Sequence, residues 1–335
     1  MSIKKIAEMT GLSTATVSYA LNDSKTVSAQ SKERVLKAAK EIGYRPNAAA
    51  QMLRTQRSNT IAFVIPTDES NPNANFFYMD VLMGIRKKLN ETDYDVIVSN
   101  YDHAFKADSE RSLRAVQVCR KQWVDGILFV PSSENPAQLN VLREMNVPFV
   151  LLDRRVTGSD YSCVDSDNEQ GAFEAVSLLI KNGRKRIGFL GGTSSVTTGA
   201  QRYLGYVRAL EKNGIAYESE YVIQEKAFST CIGRERAKEL LSKKVDAIFV
   251  ADNTLTMGAV MQLRDAGVDI PTEVAIIGYD DYTWMDMIAP PLTTVKQQSY
   301  HMGYVAAEML MRKLNGMDTD ERITLCTRVI ERKSH

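Results

Sequence analysis

The chain has 335 residues, 42 Lys and Arg against 41 Asp and Glu, a net charge of +1 at pH 7 and 44% hydrophobic residues. That length suits linked domains rather than one small core. Four cysteines with no C-x-x-C pair argue against a disulfide scaffold or a cysteine metal site, and the lack of a long apolar run or signal-like leader argues against membrane and secreted classes.

The first stretch reads as three short helices. Ile3, Ile6 and Ala7 stand at helical spacing and give the first an inner face. Gly11 follows, where a helix end needs a residue tolerant of positive φ. Ser13 then offers an N-cap oxygen. In the second helix, Thr14 to Leu21, the apolar residues Val17, Ala20 and Leu21 recur at three- and four-residue steps. The other face carries Thr14, Ala15, Ser18, Tyr19 and Asn22, without bulk at the helix start. A third helix begins after Val27-Ser28, with Val35, Leu36, Ala39 and Ile42 expected inward, and ends at Gly43. Up to Arg57 there are ten basic residues against four acidic ones, a net of about +6 in an otherwise near-neutral chain. A tight helical turn joined to concentrated positive charge points to phosphate contact and salt-dependent binding to DNA.

From about Thr60 short apolar strands alternate with amphipathic helices, the pattern of a doubly wound α/β fold. T-I-A-F-V-I-P reads as a strand and 77–90 as a helix with Val81, Leu82, Ile85 and Leu89 inward. The strands D-V-I-V-S-N, G-I-L-F-V-P, F-V-L-L-D, R-I-G-F-L-G, A-I-F-V-A and V-A-I-I-G-Y follow. Open α/β sheets bind ligands beyond the carboxyl ends of their strands. Asp153, Asp252 and Asp280 stand at such ends, and Arg202 is expected to open a helix after G-G-T-S-S-V-T-T-G-A-Q.

Four words, I-A-E-M-T-G-L-S-T-A-T-V-S-Y-A-L-N, G-Y-R-P-N-A-A-A-Q-M-L, I-I-G-Y-D-D and P-P-L-T-T-V, occur here in an order and spacing that closely resembles the lactose-repressor (LacI/GalR) family. The resemblance runs from Ile3 to about Ile330. It implies a helix-turn-helix head over 1–46, a hinge helix and linker over 47–58, and a two-lobed core with parallel sheets, like a periplasmic binding protein, over 59–332. The lobes it implies are about 59–160 with 293–323, and 161–292 with 324–332, so that the chain crosses near Asp160, Leu292 and Thr324.

The resemblance also assigns roles. Thr14, Ala15 and Tyr19 match positions that read base edges; the Tyr19 position is more often Arg or His. Ser13, Thr16, Ser18, Asn22 and Ser28 match phosphate contacts, which orient the reading helix without carrying sequence information. Asn47, Ala50 and Gln51 line the hinge surface, where the Gln51 position often carries Arg. Leu53 matches a minor-groove wedge that kinks the duplex. Asp153, Arg202, Asp252 and Asp280 match effector contacts between the lobes, and Phe76, Phe77 and Phe228 match aromatic cleft residues. Carboxylates, an arginine and flat aromatic walls suit a sugar; a purine would also fit an aromatic wall. The stretch 66–75 is longer than the family loop.

The implied function is a cytoplasmic homodimeric transcription regulator, a repressor, on a near-palindromic double-stranded operator. A small-molecule effector, a carbohydrate or carbohydrate derivative, controls it, and a protein corepressor stays open. The alternative is a cytoplasmic solute-binding module without operator recognition, which the basic head speaks against. An enzyme is the third reading, but no paired nucleophile and base stands out. No catalytic residue, cofactor or metal is expected. The glycine-rich G-G-T-S-S-V-T-T-G lacks both phosphate-loop patterns. His103, His301 and His335 have no motif around them, and Cys119, Cys163, Cys231 and Cys326 read as buried reduced thiols.

Overall fold

The computed structural model describes residues 2–21, 27–44, 57–67, 75–102, 124–132, 137–156, 158, 161–317 and 321–335. The chain forms two compact units, Met1–Ser58 and Asn59–His335.

In the first unit α1 (Ile3–Thr10), α2 (Thr14–Leu21) and α3 (Ala29–Glu41) enclose Ile6, Val17, Ala20, Val35, Ala38 and Ala39. Gly11 closes α1 at φ +66 with nothing within 4 Å of where a Cβ would lie, so backbone conformation and not space calls for glycine there. The Ser13 hydroxyl accepts the Thr16 N–H at 3.0 Å and caps α2. Ser28 caps α3 through the Ser31 N–H at 3.3 Å, and the Arg34 guanidinium donates to the Thr10 carbonyl at 2.6 Å, pinning α3 to the end of α1. Leu36 corrects the sequence reading: it is 48% exposed. Val35, Ala38 and Ala39 fill the inner stripe at three- and four-residue steps, and one residue of rotation turns Leu36 away from it.

Ser13→Ala removes the α2 cap, a loss of about 1 kcal/mol. The α2 amides should then exchange with deuterium about fivefold faster. Unchanged exchange would mean that packing alone holds the turn.

The second unit begins with β1 (Thr60–Thr67), α4 (Asn75–Leu89), β2 (Asp95–Asp102), β3 (Gly126–Phe129), α5 (Ala137–Met145), β4 (Phe149–Leu152) and β5 (Cys163–Ser166). It continues through α6 (Asn168–Lys181), β6 (Ile187–Gly192), α7 (Thr197–Lys212), β7 (Val222–Glu225), α8 (Thr230–Ser242), β8 (Ala247–Val250) and α9 (Asn253–Asp265). It ends with β9 (Ala275–Tyr279), α10 (Trp284–Met287), β10 (Thr293–Lys296), α11 (Ser299–Leu314), β11 (Arg322–Leu325) and β12 (Arg328–Ile330). One six-stranded sheet has the order β11-β5-β4-β3-β1-β2 and is parallel throughout. The other runs β12-β10-β9-β8-β6-β7, with only β12 antiparallel. Strands β3, β6, β8 and β9 are buried at every residue, because helices cover both faces; their apolar runs therefore do not alternate. Helices α4 and α11 cross in near contact: a Cβ on Gly84 would lie 1.9 Å from the Tyr300 carbonyl oxygen, and one on Gly303 1.9 Å from that of Val81.

The chain passes between the sheets three times, the first two passages a few residues later than expected from the resemblance and the third next to the expected Thr324. β5 pairs with β4 and β11, so the first sheet continues to Ser166, past Asp160. β10 pairs with β9, which moves the second passage from Leu292 to beyond Lys296, and the third follows Leu325. Backbone pairing sets these points, and β5, β10, β11 and β12 are only three or four residues long, too short to carry a periodic signal. The passages are tied together: Thr327 Oγ1 donates to the Asp167 carbonyl at 3.2 Å and Gln298 Nε2 to that of Cys326 at 2.9 Å. Of the thiols expected to be buried, Cys163 is, whereas Cys231 and Cys326 are exposed, one on the first turn of α8 and one in the third passage. Cys119 and His103 lie outside the described residues.

Candidate functional site

Two places gather the residues singled out above, one in each unit. On the head, α2 buries Val17 and Ala20 and leaves Thr14, Ala15 and Tyr19 exposed. Tyr19 is 52% exposed, a large ring held out from a helix whose first turn is otherwise small. The Ser13 and Thr16 hydroxyls bond each other at 2.8 Å at the positive end of the helix dipole, where phosphate oxygens are attracted. Ser28 is exposed and Ser18 partly so. Lys4, Lys37 and Lys40 of the head are exposed. Asn22, Asn47, Ala50, Gln51 and Leu53 lie outside the described residues.

In the body, a cavity is lined by Asp153, Arg202, Asp252, Asp280, Phe77 and Phe228. Asp153 and Asp280 each directly follow a strand, β4 and β9, and take φ of +64 and +61. Aspartate tolerates this left-handed conformation better than most residues, and both residues line the cavity. Asp252 caps α9, its Oδ1 accepting the Thr254 and Leu255 N–H groups at 2.9 Å. Arg202 lies in the second turn of α7 and does not open the helix, which already starts at Thr197. Its guanidinium rests 3.6 Å above the Tyr279 ring and donates to Asn168 Oδ1 and to the Ala251 carbonyl, both at 2.8 Å. Asp280 accepts from Asn253 Nδ2 at 2.8 Å and Gln297 Nε2 at 2.7 Å. The Oε1 atom of Gln297 is buried with no hydrogen-bond partner, so a ligand donor reaching it would satisfy an otherwise costly group.

Phe76 stands apart from the cavity lining. It is half-exposed, its ring 5.6 Å from that of Tyr282. Because successive helical residues diverge by about 100°, Phe77 turns inward where Phe76 cannot. Tyr78, Arg154, Asn253 and Gln297 line the cavity and were not read from the sequence. Arg154 and Asn253 adjoin Asp153 and Asp252, so extending the strand-end rule by one residue would have found them. Gln297 follows β10, a strand the sequence pattern did not show.

Burial raises the Asp153 carboxyl above its ordinary range, against the pull of Arg154 and Arg202. Burial raises Asp252 to about 6, opposed by its α9 amide bonds and by Arg202. A carboxyl raised in the folded state makes the fold bind more protons than the unfolded chain. Stability then falls as pH rises from the ordinary carboxylate range to about 6, and stays low above it. Asp252→Asn keeps an N-cap oxygen and removes the buried charge. It should stabilise the chain by about 1–3 kcal/mol at pH 8, with the gain vanishing near pH 4. Melting temperatures at the two pH values test this; an equal gain at both would deny the buried charge.

Among the described residues, no cluster of three or more His, Cys, Asp and Glu could hold a metal ion, and no helix is long and apolar enough to cross a membrane.

Residues 2–47 match the profile of bacterial regulatory proteins of the lacI family, and residues 176–335 that of the periplasmic binding protein-like domain. The chain is 34% identical over 337 residues to the HTH-type transcriptional regulator RegA of Clostridium saccharobutylicum, covering 99% of this chain and 98% of the relative. It is similar to the solved complex of the transcriptional regulator CelR with cellobiose, at 30% identity, a TM-score of 0.76 and full coverage of both chains. The lac repressor dimer bound to operator and the anti-inducer ONPF shares the fold, with a TM-score of 0.88 at 24% identity over 100% of this chain and 98% of that one.

Proposed function

The chain belongs to the lacI family of bacterial regulatory proteins and is a sequence-specific, helix-turn-helix transcription regulator, and from that premise we propose how it works. It is a repressor that binds a near-palindromic operator as a homodimer, each head reading one half-site. The observation that carries this is α2, a helix capped by Ser13 that buries Val17 and Ala20 and presents Thr14, Ala15 and Tyr19 outward. Thr14 and Ala15 can meet a thymine methyl, and Tyr19 reaches further along the groove floor. Ser13, Thr16, Ser18, Asn22 and Ser28 serve the phosphates. Asn47, Ala50 and Gln51 face the minor groove at the operator centre, where Leu53 wedges between base pairs.

The cavity between the sheets takes a carbohydrate. Arg202, Asp280, Asn253 and Gln297 offer convergent polar groups, and Phe77, Tyr78 and Phe228 supply apolar walls, the combination that small-molecule sites use for affinity and orientation. The similar CelR structure holds cellobiose, which supports a glucoside. The ligand works by binding one lobe angle better than another, so an inducer must favour the DNA-incompetent state. The chain does no covalent chemistry, needs no cofactor and acts in the cytoplasm, where its operator is.

Fluorescence anisotropy of the full chain on labelled genomic fragments, with and without millimolar cellobiose, D-glucose, D-galactose or D-ribose, tests both halves. DNA binding changed by at least one sugar is the expected result. Binding unmoved by all four would remove the carbohydrate reading, and no binding at all would remove the regulator.

A further inference from the structure

We propose that Asn168 couples the cleft to the angle between the lobes, a positioning role that rests on the effector reading above. Asn168 is 1% exposed and sits in the first passage, two residues after the end of β5 at Ser166 and at the start of α6. Its amide nitrogen Nδ2 donates to the Ser166 carbonyl at 3.1 Å, the last residue of the first sheet. Its Oδ1 accepts from Arg202 Nε at 2.8 Å and from the Tyr279 hydroxyl at 3.0 Å, both belonging to the second lobe. An amide oxygen has two acceptor positions, and both are taken.

One buried side chain thus bridges the pivot. Its donor end is fixed to the first sheet and its acceptor end holds the cleft arginine and the tyrosine on which that arginine is stacked. A ligand that draws on Arg202 is one hydrogen bond from Asn168 and two from the first sheet. Hydrogen bonds in a buried network are strong and directional, so a small shift at Arg202 is passed on as a bias in the angle at Ser166–Asn168 and not absorbed by water. The other two passages follow because the third is bonded to the first, Thr327 to the Asp167 carbonyl, and the second to the third, Gln298 to the Cys326 carbonyl.

A purely structural asparagine, present only to satisfy Arg202, would behave differently from a coupling one. Asn168→Asp separates the two. A carboxylate still accepts from Arg202 and Tyr279 but has no donor for the Ser166 carbonyl. The proposal predicts that sugar affinity stays within about threefold while the change in operator affinity at saturating sugar falls by about tenfold or more, the usual scale of an allosteric coupling. Asn168→Ala loses both ends; read at saturating sugar, its response should also be lost, and it serves if the aspartate variant does not fold.

The experiment uses the full chain and cellobiose, then D-glucose, D-galactose and D-ribose, with calorimetry for sugar binding and anisotropy for operator affinity. Wild type that binds and responds beside a variant that binds without responding supports the coupling. A variant that binds and responds like wild type overturns it, as does one whose response at saturation is normal and whose only loss is sugar affinity. If wild type itself responds to none of the four sugars, the effector reading falls and takes this proposal with it.

Discussion

Arg202→Ala is expected to abolish the effector response while leaving DNA binding in place. The guanidinium is buried, stacked on Tyr279, and shared between Asn168 Oδ1 and the Ala251 carbonyl. Truncation takes the Arg202 donor from the Ala251 carbonyl, leaves Asn168 Oδ1 with only the Tyr279 hydroxyl, and removes the positive charge that faces Asp153, Asp252 and Asp280 across the cavity. Breaking one member of a buried charge network costs about 3–5 kcal/mol, and a ligand hydroxyl that had relied on Arg202 loses a charge-assisted hydrogen bond worth roughly twice a neutral one. Sugar affinity should therefore fall by about two orders of magnitude or more. The head has its own core around Ile6, Val17 and Val35, so operator binding without sugar should persist. Parallel titrations with sugar and with operator decide it; an intact response would take Arg202 out of the site.

Tyr19→Arg should change which bases each half-site prefers. The Tyr19 ring is exposed on the α2 face that carries Thr14 and Ala15, while Val17 and Ala20 hold the opposite face in the core. A phenol offers one hydroxyl and a flat apolar edge, whereas an arginine offers a planar fork that fits guanine O6 and N7. Such a bidentate pair discriminates against the wrong base by about 1–3 kcal/mol. Selection from random duplexes should return a half-site with a new guanine for the variant, with a preference of about tenfold or more over the wild-type base. An unchanged motif would mean that Tyr19 reads no base and serves only to fill the groove.

Most of the head was legible because local chemistry decides it. Gly11, Ser13 and Ser28 occupy the positions that a left-handed helix end and two N-caps demand, and among the described residues of the head only Leu36 was misplaced. The cleft was legible in part. The strand-end rule found Asp153, Asp252 and Asp280, since a buried parallel strand announces itself as an apolar run. It missed Gln297 and Asn168, which follow strands of four residues that carry no run. Their partners are reached by tertiary hydrogen bonds over long sequence separations, as between Asn168 and Tyr279, which no local pattern encodes. Phe76 and Phe77 show the same limit: adjacent and chemically identical, they part company because a helix turns one toward the cavity and the other toward Tyr282. The first two points of passage between the lobes were displaced for a related reason. Backbone pairing partners set them, and pairing is not written in composition.

The most direct measurement is in vitro selection of bound duplexes from fragmented genomic DNA by the full chain, at moderate salt, run once without sugar and once with the four-sugar panel. A pseudo-palindrome with a flexible pyrimidine–purine step at its centre, whose recovery changes between the two runs, is the predicted result. No enriched motif in either run would contradict it and leave the chain a sugar-binding module whose head serves some other purpose.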